Sequence, residues 1–201
     1  MAQAPPAATP TQPGQGLWTI PNLLTLLRIV LSVVLFILIG LEQWLASLIV
    51  FAVAAITDWL DGFIARGYGQ GSSLGRNLDP LADKILILGA YIFLLPVEGS
   101  GLAAWMVVVV VLRELIVTGA RSFLEGQNVK FGADWFGKLK MVLQCVALIV
   151  MLAFLWMESP DWLKLPRDVI LYLMVAATAL SGLQYLIKFR SEMRRAVGST
   201  A

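Results

Sequence analysis

Residues 58–83 read DWLDGFIARGYGQGSSLGRNLDPLAD, and this stretch joins two apolar segments of the chain. It places four carboxylates, those of Asp58, Asp61, Asp79 and Asp83, within or at the rim of segments apolar enough to lie in a bilayer. If both segments are helices, the first two aspartates share one helix face, and so do the last two. A glycine-rich turn of about a dozen residues lets the helices run antiparallel. The stretch therefore predicts that the four carboxylates converge.

Four carboxylates in one small site cannot all stay ionised unless cations neutralise them. The chain contains no histidine, and a set of oxygen ligands alone suits Mg²⁺ or Mn²⁺ better than zinc. Two such ions would supply about four positive charges, and two-metal sites serve in-line displacement at phosphorus. The alternative is that the aspartates are solvated at helix ends and paired with Arg66, Arg76 and Lys84. We favour the metal site, because carboxylates within membrane segments are costly and usually functional.

The composition indicates an all-α integral membrane protein. Of the 201 residues, 59% are hydrophobic and the mean hydropathy is +0.81, whereas soluble domains are about half apolar. Six segments are long enough to cross about 30 Å of hydrocarbon as helices, and we find no internal repeat or second domain. The predicted spans are approximately 20–40, 43–66, 77–95, 102–124, 136–157 and 167–189.

The distribution of charge predicts the orientation. Of the 15 basic residues, only Lys164 and Arg167 fall toward one side of a six-span arrangement, so the positive-inside rule places both termini and the aspartates in the cytoplasm. Residues 1–17 are uncharged and rich in Pro, Ala and Gln, which predicts a disordered tail rather than a signal peptide. We expect a transmembrane catalytic domain over 18–190 and a basic tail over 191–201. The net charge of +2 gives no reason to expect nucleic acid as a partner.

The run Asp58-x2-Asp61-Gly62-x2-Ala65-Arg66-x8-Gly75-x3-Asp79-x3-Asp83 resembles the complete signature of the CDP-alcohol phosphotransferase family, with eight fixed positions over 26 residues. The resemblance implies a six-helix membrane enzyme with a dinuclear metal site. Such an enzyme cleaves a CDP-linked lipid and transfers its phosphatidyl or phospho-alcohol group to an acceptor hydroxyl. Relatives of this kind are commonly homodimers, which by analogy implies the same for this chain.

The resemblance also implies roles for individual residues. The four aspartates would hold two metal ions that the pyrophosphate of CDP-diacylglycerol bridges, and Asp83 would also act as general base toward the acceptor hydroxyl. Small side chains let a nucleotide approach the backbone closely, and arginine can pair with pyrophosphate. For Asn22 and Arg28 the alternative is a helix cap with a snorkelling arginine. The residues implied for the CDP-lipid site are Asn22, Arg28, Gly62, Ala65, Arg66, Ser72 and Gly75.

A second group of polar residues predicts a pocket for a phosphate on the acceptor. Arg113 and Glu114 lie near the middle of the fourth span, where an unpaired guanidinium would be expensive. Arg113 and Arg121 share one helix face, so both can face one wet cavity, and arginine and lysine suit phosphate. Alternatives are a structural pair of Arg113 with Glu114 and ordinary headgroup anchoring by the lysines. The pocket residues we predict are Arg113, Arg121, Lys138 and Lys140, with Gln144 beside them.

The pattern R-E-x-x-V-T-G-x-R over 113–121, followed by W-x-G-K-x-K over 135–140, resembles the bacterial phosphatidylglycerophosphate synthase branch of that family. This implies transfer of phosphatidate from CDP-diacylglycerol to glycerol 3-phosphate in the bacterial inner membrane. Alternatives are a CDP-diacylglycerol-dependent cardiolipin synthase and an enzyme with an inositol phosphate acceptor. A divalent-cation transporter is disfavoured, because the aspartates lie at one membrane face and the chain shows no related halves.

Overall fold

A computed structural model of the chain describes residues 20–68, 73–126 and 135–198. Within these ranges the side chains at 20–22, 24, 58–68, 73–81, 83, 125, 136 and 194–198 are outside the description. The described residues form six α-helices and no strand, which confirms the predicted all-α fold. The helices are α1 (Ile20–Gly40), α2 (Trp44–Tyr68), α3 (Ser73–Leu94), α4 (Ala104–Gly126), α5 (Trp135–Trp156) and α6 (Asp161–Gly198).

The third helix begins earlier than predicted. We expected a glycine-rich turn over 67–76, but α2 continues to Tyr68 and α3 begins at Ser73, so the connection comprises only 69–72. Gly67 and Gly75 therefore lie inside helices. A single glycine costs a helix only about 1 kcal/mol, and the neighbouring leucines and arginines favour helix enough to offset that cost.

The last helix is longer than predicted at both ends. We expected a break over 158–166 and a basic tail from 191, whereas α6 runs from Asp161 to Gly198 with Pro166 inside it. The Asp161 carboxylate lies in the first turn, where it complements the helix dipole, and it accepts a hydrogen bond from Lys164 at 2.7 Å. At 1.5 Å per residue the 38 residues span about 57 Å, so α6 exceeds the thickness of the hydrocarbon core.

The six described helices close into a ring. Contacts run from α1 to α2, from α2 to α5, from α5 to α6, from α6 to α4, from α4 to α3 and back to α1, and α3 also touches α5 across the ring. Fully buried side chains from all six helices fill the interior. They include Leu35, Phe51, Tyr91, Val110, Leu152 and Leu171. The order in space therefore differs from the order in sequence, and α3 and α5 meet although α4 separates them along the chain.

The outer surface of the ring is apolar. Each helix exposes large hydrophobic side chains, among them Val30, Ile49, Ile92, Leu115, Val142 and Leu173. Apolar surface of this extent is suited to contact with lipid. By length and composition, Gly137–Trp156 and Asp161–Met193 qualify as membrane spans among the described residues. The chain is an all-α integral membrane protein.

Arg167 ties together the end of the bundle that holds the α3–α4 connection. Its side chain is buried, its Nη1 donates to the carbonyl of Gly99 at 2.5 Å, and its guanidinium lies 4.4 Å from the ring centroid of Phe154. Asp168 accepts from Nε at 2.8 Å. The guanidinium therefore joins α5, α6 and the α3–α4 connection, and its charge is paired.

The ends of α1 and α5 share one capping geometry. The main-chain N–H of Gln43 donates to the carbonyl of Leu38 at 2.9 Å. The main-chain N–H of Glu42 donates to the carbonyl of Ile39 at 3.0 Å. This is a Schellman motif with Glu42 at the left-handed position, where its φ is 57°. Glu158 occupies the same position after α5, also with a φ of 57°. Glycine is the usual residue there, because other residues are strained.

Replacing Glu42 with glycine should therefore stabilise the protein. We expect the free energy of unfolding to rise by about 0.5–1 kcal/mol, because the strain of the left-handed backbone is removed. Thermal unfolding of the purified protein in detergent measures the change. Glu98→Gly in the α3–α4 connection is the matched control, since Glu98 is outside the residues with positive φ. Equal destabilisation by both substitutions would contradict the prediction.

Candidate active site

The aspartate signature lies on two successive helices. Positions 58 and 61 belong to the C-terminal half of α2, and positions 79 and 83 belong to α3. Their side chains are outside the description, as are those of Asn22, Gly62, Ala65, Arg66 and Gly75, while Ser72 falls outside the described residues altogether. The remaining residues of the description contain no group of three or more His, Cys, Asp or Glu that could hold a metal ion. The four carboxylates fit a hard divalent ion by the chemistry of their oxygen donors.

Arg28 lies deep in the bundle on α1. Its side chain is only 2% exposed, and the hydroxyl of Ser32 donates to its main-chain carbonyl at 2.8 Å. Helix α1 packs against both α2 and α3, the two helices that carry the aspartates. A snorkelling arginine would reach the surface, so its burial contradicts that alternative. The guanidinium is held within the protein, and its role in the CDP-lipid site stays a prediction.

Glu114 on α4 is the centre of a buried ionic cluster. It is 6% exposed, and its Oε1 accepts from Nη1 of Arg113 at 3.1 Å and from Nζ of Lys140 on α5. Nη2 of Arg113 donates to the hydroxyl of Ser181 on α6 at 2.5 Å. Gly182 leaves room for this contact, since a Cβ there would lie 3.1 Å from Cγ of Arg113. One carboxylate thus links α4, α5 and, through Arg113, α6.

A small cavity lies beside this cluster, between α3, α4 and α5. Its volume is about 170 Å³, and it is lined by Lys84, Ile87, Leu88, Glu114, Arg121, Lys140, Met141 and Gln144. Among the described lining residues three are cationic and one is anionic, which gives these residues a net charge of +2. Lys84 donates to the hydroxyl of Thr118, which in turn donates to the carbonyl of Glu114 at 2.6 Å. The cavity is suited to a small anion.

The structure brings together only part of the predicted acceptor pocket. Arg121 and Lys140 line the cavity, whereas Arg113 is outside the lining and points toward Ser181. Lys138 is exposed on α5. The expectation that both arginines face one cavity therefore does not hold. Residues eight apart differ by about 80° around a helix, and the Ser181 hydroxyl and Glu114 together orient the Arg113 guanidinium away.

Two charged residues of the lining are absent from the predicted acceptor pocket. Lys84 was considered only as an ion-pair partner of the aspartates, and Glu114 only as a partner of Arg113. In both cases the sequence feature that could have indicated a place in the pocket is a pair of adjacent charged residues within an apolar helix. Sequence spacing alone does not reveal that α3 and α5 meet across the ring, and that contact places Lys84 opposite Lys140.

A larger groove of about 790 Å³ lies at the other end of the bundle. The ends of α1, α3 and α5 form it, and its charged lining residues are Glu42 and Glu98. None of its described lining residues is basic. This groove is therefore unsuited to phosphate, and the cavity beside Glu114 is the candidate for an anionic ligand.

Comparisons with known proteins cover almost the whole described chain. The sequence model of the CDP-alcohol phosphatidyltransferase family matches residues 18–183. A protein of Salmonella typhimurium is 33% identical over 181 residues, and one of Escherichia coli strain K12 is 32% identical over 181 residues. Each alignment covers 88% of this chain and 97% of the relative, and both relatives are named CDP-diacylglycerol–glycerol-3-phosphate 3-phosphatidyltransferase. The segment matched by the family model includes the aspartate signature and every residue that lines the small cavity.

Replacing Glu114 with glutamine should destabilise the bundle. The substitution leaves two buried cations without the anion that they share, and removal of one partner from a buried ion pair costs about 3 kcal/mol or more. We expect a clear decrease in the thermal unfolding temperature in detergent. Glu98→Gln, at an exposed position, is the matched control and should change the stability by no more than about 0.5 kcal/mol.

A double-mutant cycle attributes the effect to the ion pair with Lys140. Glu114→Gln combined with Lys140→Met should cost less stability than the sum of the two single substitutions, because the two side chains are in contact. Additive losses would show that the two side chains contribute independently.

Proposed function

This chain belongs to the CDP-alcohol phosphatidyltransferase family, and we propose that it transfers the phosphatidyl group of CDP-diacylglycerol to sn-glycerol 3-phosphate. The products are phosphatidylglycerophosphate and CMP. The observation that carries this proposal is the match to relatives named for that reaction, which extends over 88% of this chain and 97% of each relative. The protein is thus a phosphatidyltransferase of phospholipid biosynthesis.

The family generally depends on divalent metal ions, and the aspartates of α2 and α3 are the residues suited to hold them. We assign Asp58, Asp61, Asp79 and Asp83 as ligands of two Mg²⁺ ions, with Mn²⁺ as the alternative metal. When bound, such ions neutralise the pyrophosphate and stabilise the charge on departing CMP. The chain supplies only oxygen donors there, which is the preference of Mg²⁺.

The remaining chemistry is assigned to residues of the chain. Asp83 accepts the proton of the acceptor hydroxyl as that oxygen attacks the lipid-side phosphorus and the bond from phosphorus to the bridging oxygen breaks. The cytidine and pyrophosphate are bound by the small residues and arginines implied by the family signature. These residues are Asn22, Arg28, Gly62, Ala65, Arg66, Ser72 and Gly75.

The small cavity is the proposed site for the phosphate of the acceptor. Lys84, Arg121 and Lys140 contribute positive charge to its lining, and with Glu114 the described lining residues carry a net charge of +2. A phosphate monoester carries about −1.5 to −2 at neutral pH, whereas a phosphodiester carries one charge. The net charge therefore favours glycerol 3-phosphate over the phosphatidylglycerol that a cardiolipin synthase would use. Arg113 acts through Glu114 as a positioning residue, and Lys138 adds positive charge at the surface.

The membrane arrangement is also part of the proposal. We place the protein in the bacterial inner membrane, with both termini and the aspartates in the cytoplasm, where glycerol 3-phosphate is available. The positive-inside distribution of basic residues supports this orientation. A homodimer is proposed by analogy with related proteins.

A product assay tests the acceptor. Purified protein in detergent would receive Mg²⁺ and CDP-diacylglycerol with glycerol 3-phosphate, phosphatidylglycerol or inositol phosphate in separate reactions. We expect CMP release and phosphatidylglycerophosphate, identified by lipid mass, with glycerol 3-phosphate alone. Turnover with another acceptor would overturn the assigned substrate, and the absence of CMP from every reaction would overturn the assigned chemistry.

Replacing Asp83 with asparagine should abolish most of the activity. General acid–base catalysis contributes roughly 10²- to 10⁴-fold, so we expect kcat to fall by at least about 100-fold while the protein stays folded. Asp168→Asn is the matched control, because Asp168 pairs with Arg167 at the other end of the bundle and should keep its activity. Substantial turnover by the Asp83 variant would remove this residue from the role of base.

A further inference from the structure

Gln144 on α5 is a buried polar residue whose side-chain hydrogen bonds are only partly satisfied by the described residues. Its side chain lines the small cavity, and the residue is only 1% exposed. The amide nitrogen Nε2 has no hydrogen-bond partner among the described residues. An unsatisfied buried N–H group destabilises a folded protein, so this side chain calls for an explanation.

Packing at this point fixes the main chain of Gln144. Nε2 of its side chain has no hydrogen-bond partner among the described residues. The hydroxyl of Tyr91 on α3 donates to the main-chain carbonyl of Gln144 at 2.9 Å. This contact holds α5 against α3 at the wall of the cavity. The position of the side chain is therefore determined by the helix contact, while its nitrogen remains a donor without an acceptor.

Among the described lining residues, no polar group accepts a hydrogen bond from Nε2 of Gln144. Lysine and arginine side chains carry only donors, which excludes Lys84, Arg121 and Lys140. Oε1 of Glu114 accepts from Arg113 and Lys140 instead. The described lining is therefore rich in donors, and a bound anion would supply the acceptor that Nε2 lacks.

We propose that Gln144 is a specificity-determining residue whose Nε2 donates a hydrogen bond to a phosphate oxygen of the acceptor bound in this cavity. The inference rests on the proposed function and assigns a further residue to it. The phosphate end of the acceptor is the part that fits, because the three cations of the lining attract the anion. A volume of about 170 Å³ suits a small molecule, since pockets for drug-sized ligands are about 300–1,000 Å³.

Gln144→Met tests this assignment, because methionine keeps the length and burial of the side chain but cannot donate. Loss of a hydrogen bond to a charged group should raise the KM for glycerol 3-phosphate roughly 10- to 100-fold. The KM for CDP-diacylglycerol should stay unchanged. The unfolding temperature without ligand should be equal or higher, because an unpaired N–H group has been removed.

Gln184→Met is the matched control, since Gln184 is an exposed position of α6. It should leave both KM values unchanged. An unchanged KM for glycerol 3-phosphate in Gln144→Met would overturn the proposal and would indicate that the amide is satisfied by buried water. A lower unfolding temperature with an equal rise of both KM values would also overturn it, because that result indicates a structural role.

A binding measurement separates this inference from the proposed function. Glycerol 3-phosphate and inorganic phosphate should each raise the unfolding temperature of the wild-type protein, and the increase should be much smaller for Gln144→Met. If the wild-type enzyme forms no product from glycerol 3-phosphate, the proposed function fails, but the phosphate experiment still measures what Gln144 contributes. Equal stabilisation of wild-type and variant protein by phosphate would exclude the hydrogen bond.

Discussion

Charged side chains inside an apolar helical bundle have to be compensated, and the interior of this protein depends on that requirement. Glu114 compensates the charges of Arg113 on α4 and Lys140 on α5 by accepting a hydrogen bond from each. Arg113 extends the same link to Ser181 on α6. A buried, paired carboxylate stabilises the protein little more than an apolar residue would. Removing it, however, leaves its cationic partners buried without a counter-charge. The cluster therefore acts mainly on the relative positions of three helices.

Helix α3 connects the two parts of the proposed chemistry. It carries the third and fourth aspartates of the signature, and Lys84, which lines the phosphate cavity, directly follows the fourth aspartate in sequence. The Tyr91 hydroxyl then holds α3 against α5, about two turns beyond Lys84 along the helix. A rigid helix with these groups at fixed spacing would couple the proposed CDP-lipid site to the proposed acceptor site. Such coupling would position the acceptor hydroxyl relative to Asp83, and positioning is a large part of enzymatic rate enhancement.

The two ends of the bundle differ in how completely their buried polar side chains are hydrogen-bonded. At the end with the α3–α4 connection, the buried Arg167 is fully engaged with Gly99, Phe154 and Asp168. In the small cavity between α3, α4 and α5, Nε2 of Gln144 has no hydrogen-bond partner among the described residues. An unpaired group lowers stability, and proteins retain such groups where function requires them. The contrast between a satisfied arginine and an unsatisfied glutamine supports a ligand site in the cavity and a structural role for the opposite end.

Long apolar runs have few alternative structures, so the sequence predicts the membrane class, the all-α fold and four of the six helices to within two residues at each limit. It also identified the family, since the aspartate signature spans only 26 residues and is read without tertiary information. It missed the starts of α3 and α6, where local propensity outweighs one glycine or proline. It also missed the C-terminal end of α6, because that helix continues beyond its apolar run. Which basic residues meet depends on the tertiary structure. The contact of α3 with α5 brings Lys84 beside Lys140, and Ser181 on α6 directs Arg113 away from the cavity. These are contacts between distant parts of the chain, which no spacing within one helix encodes.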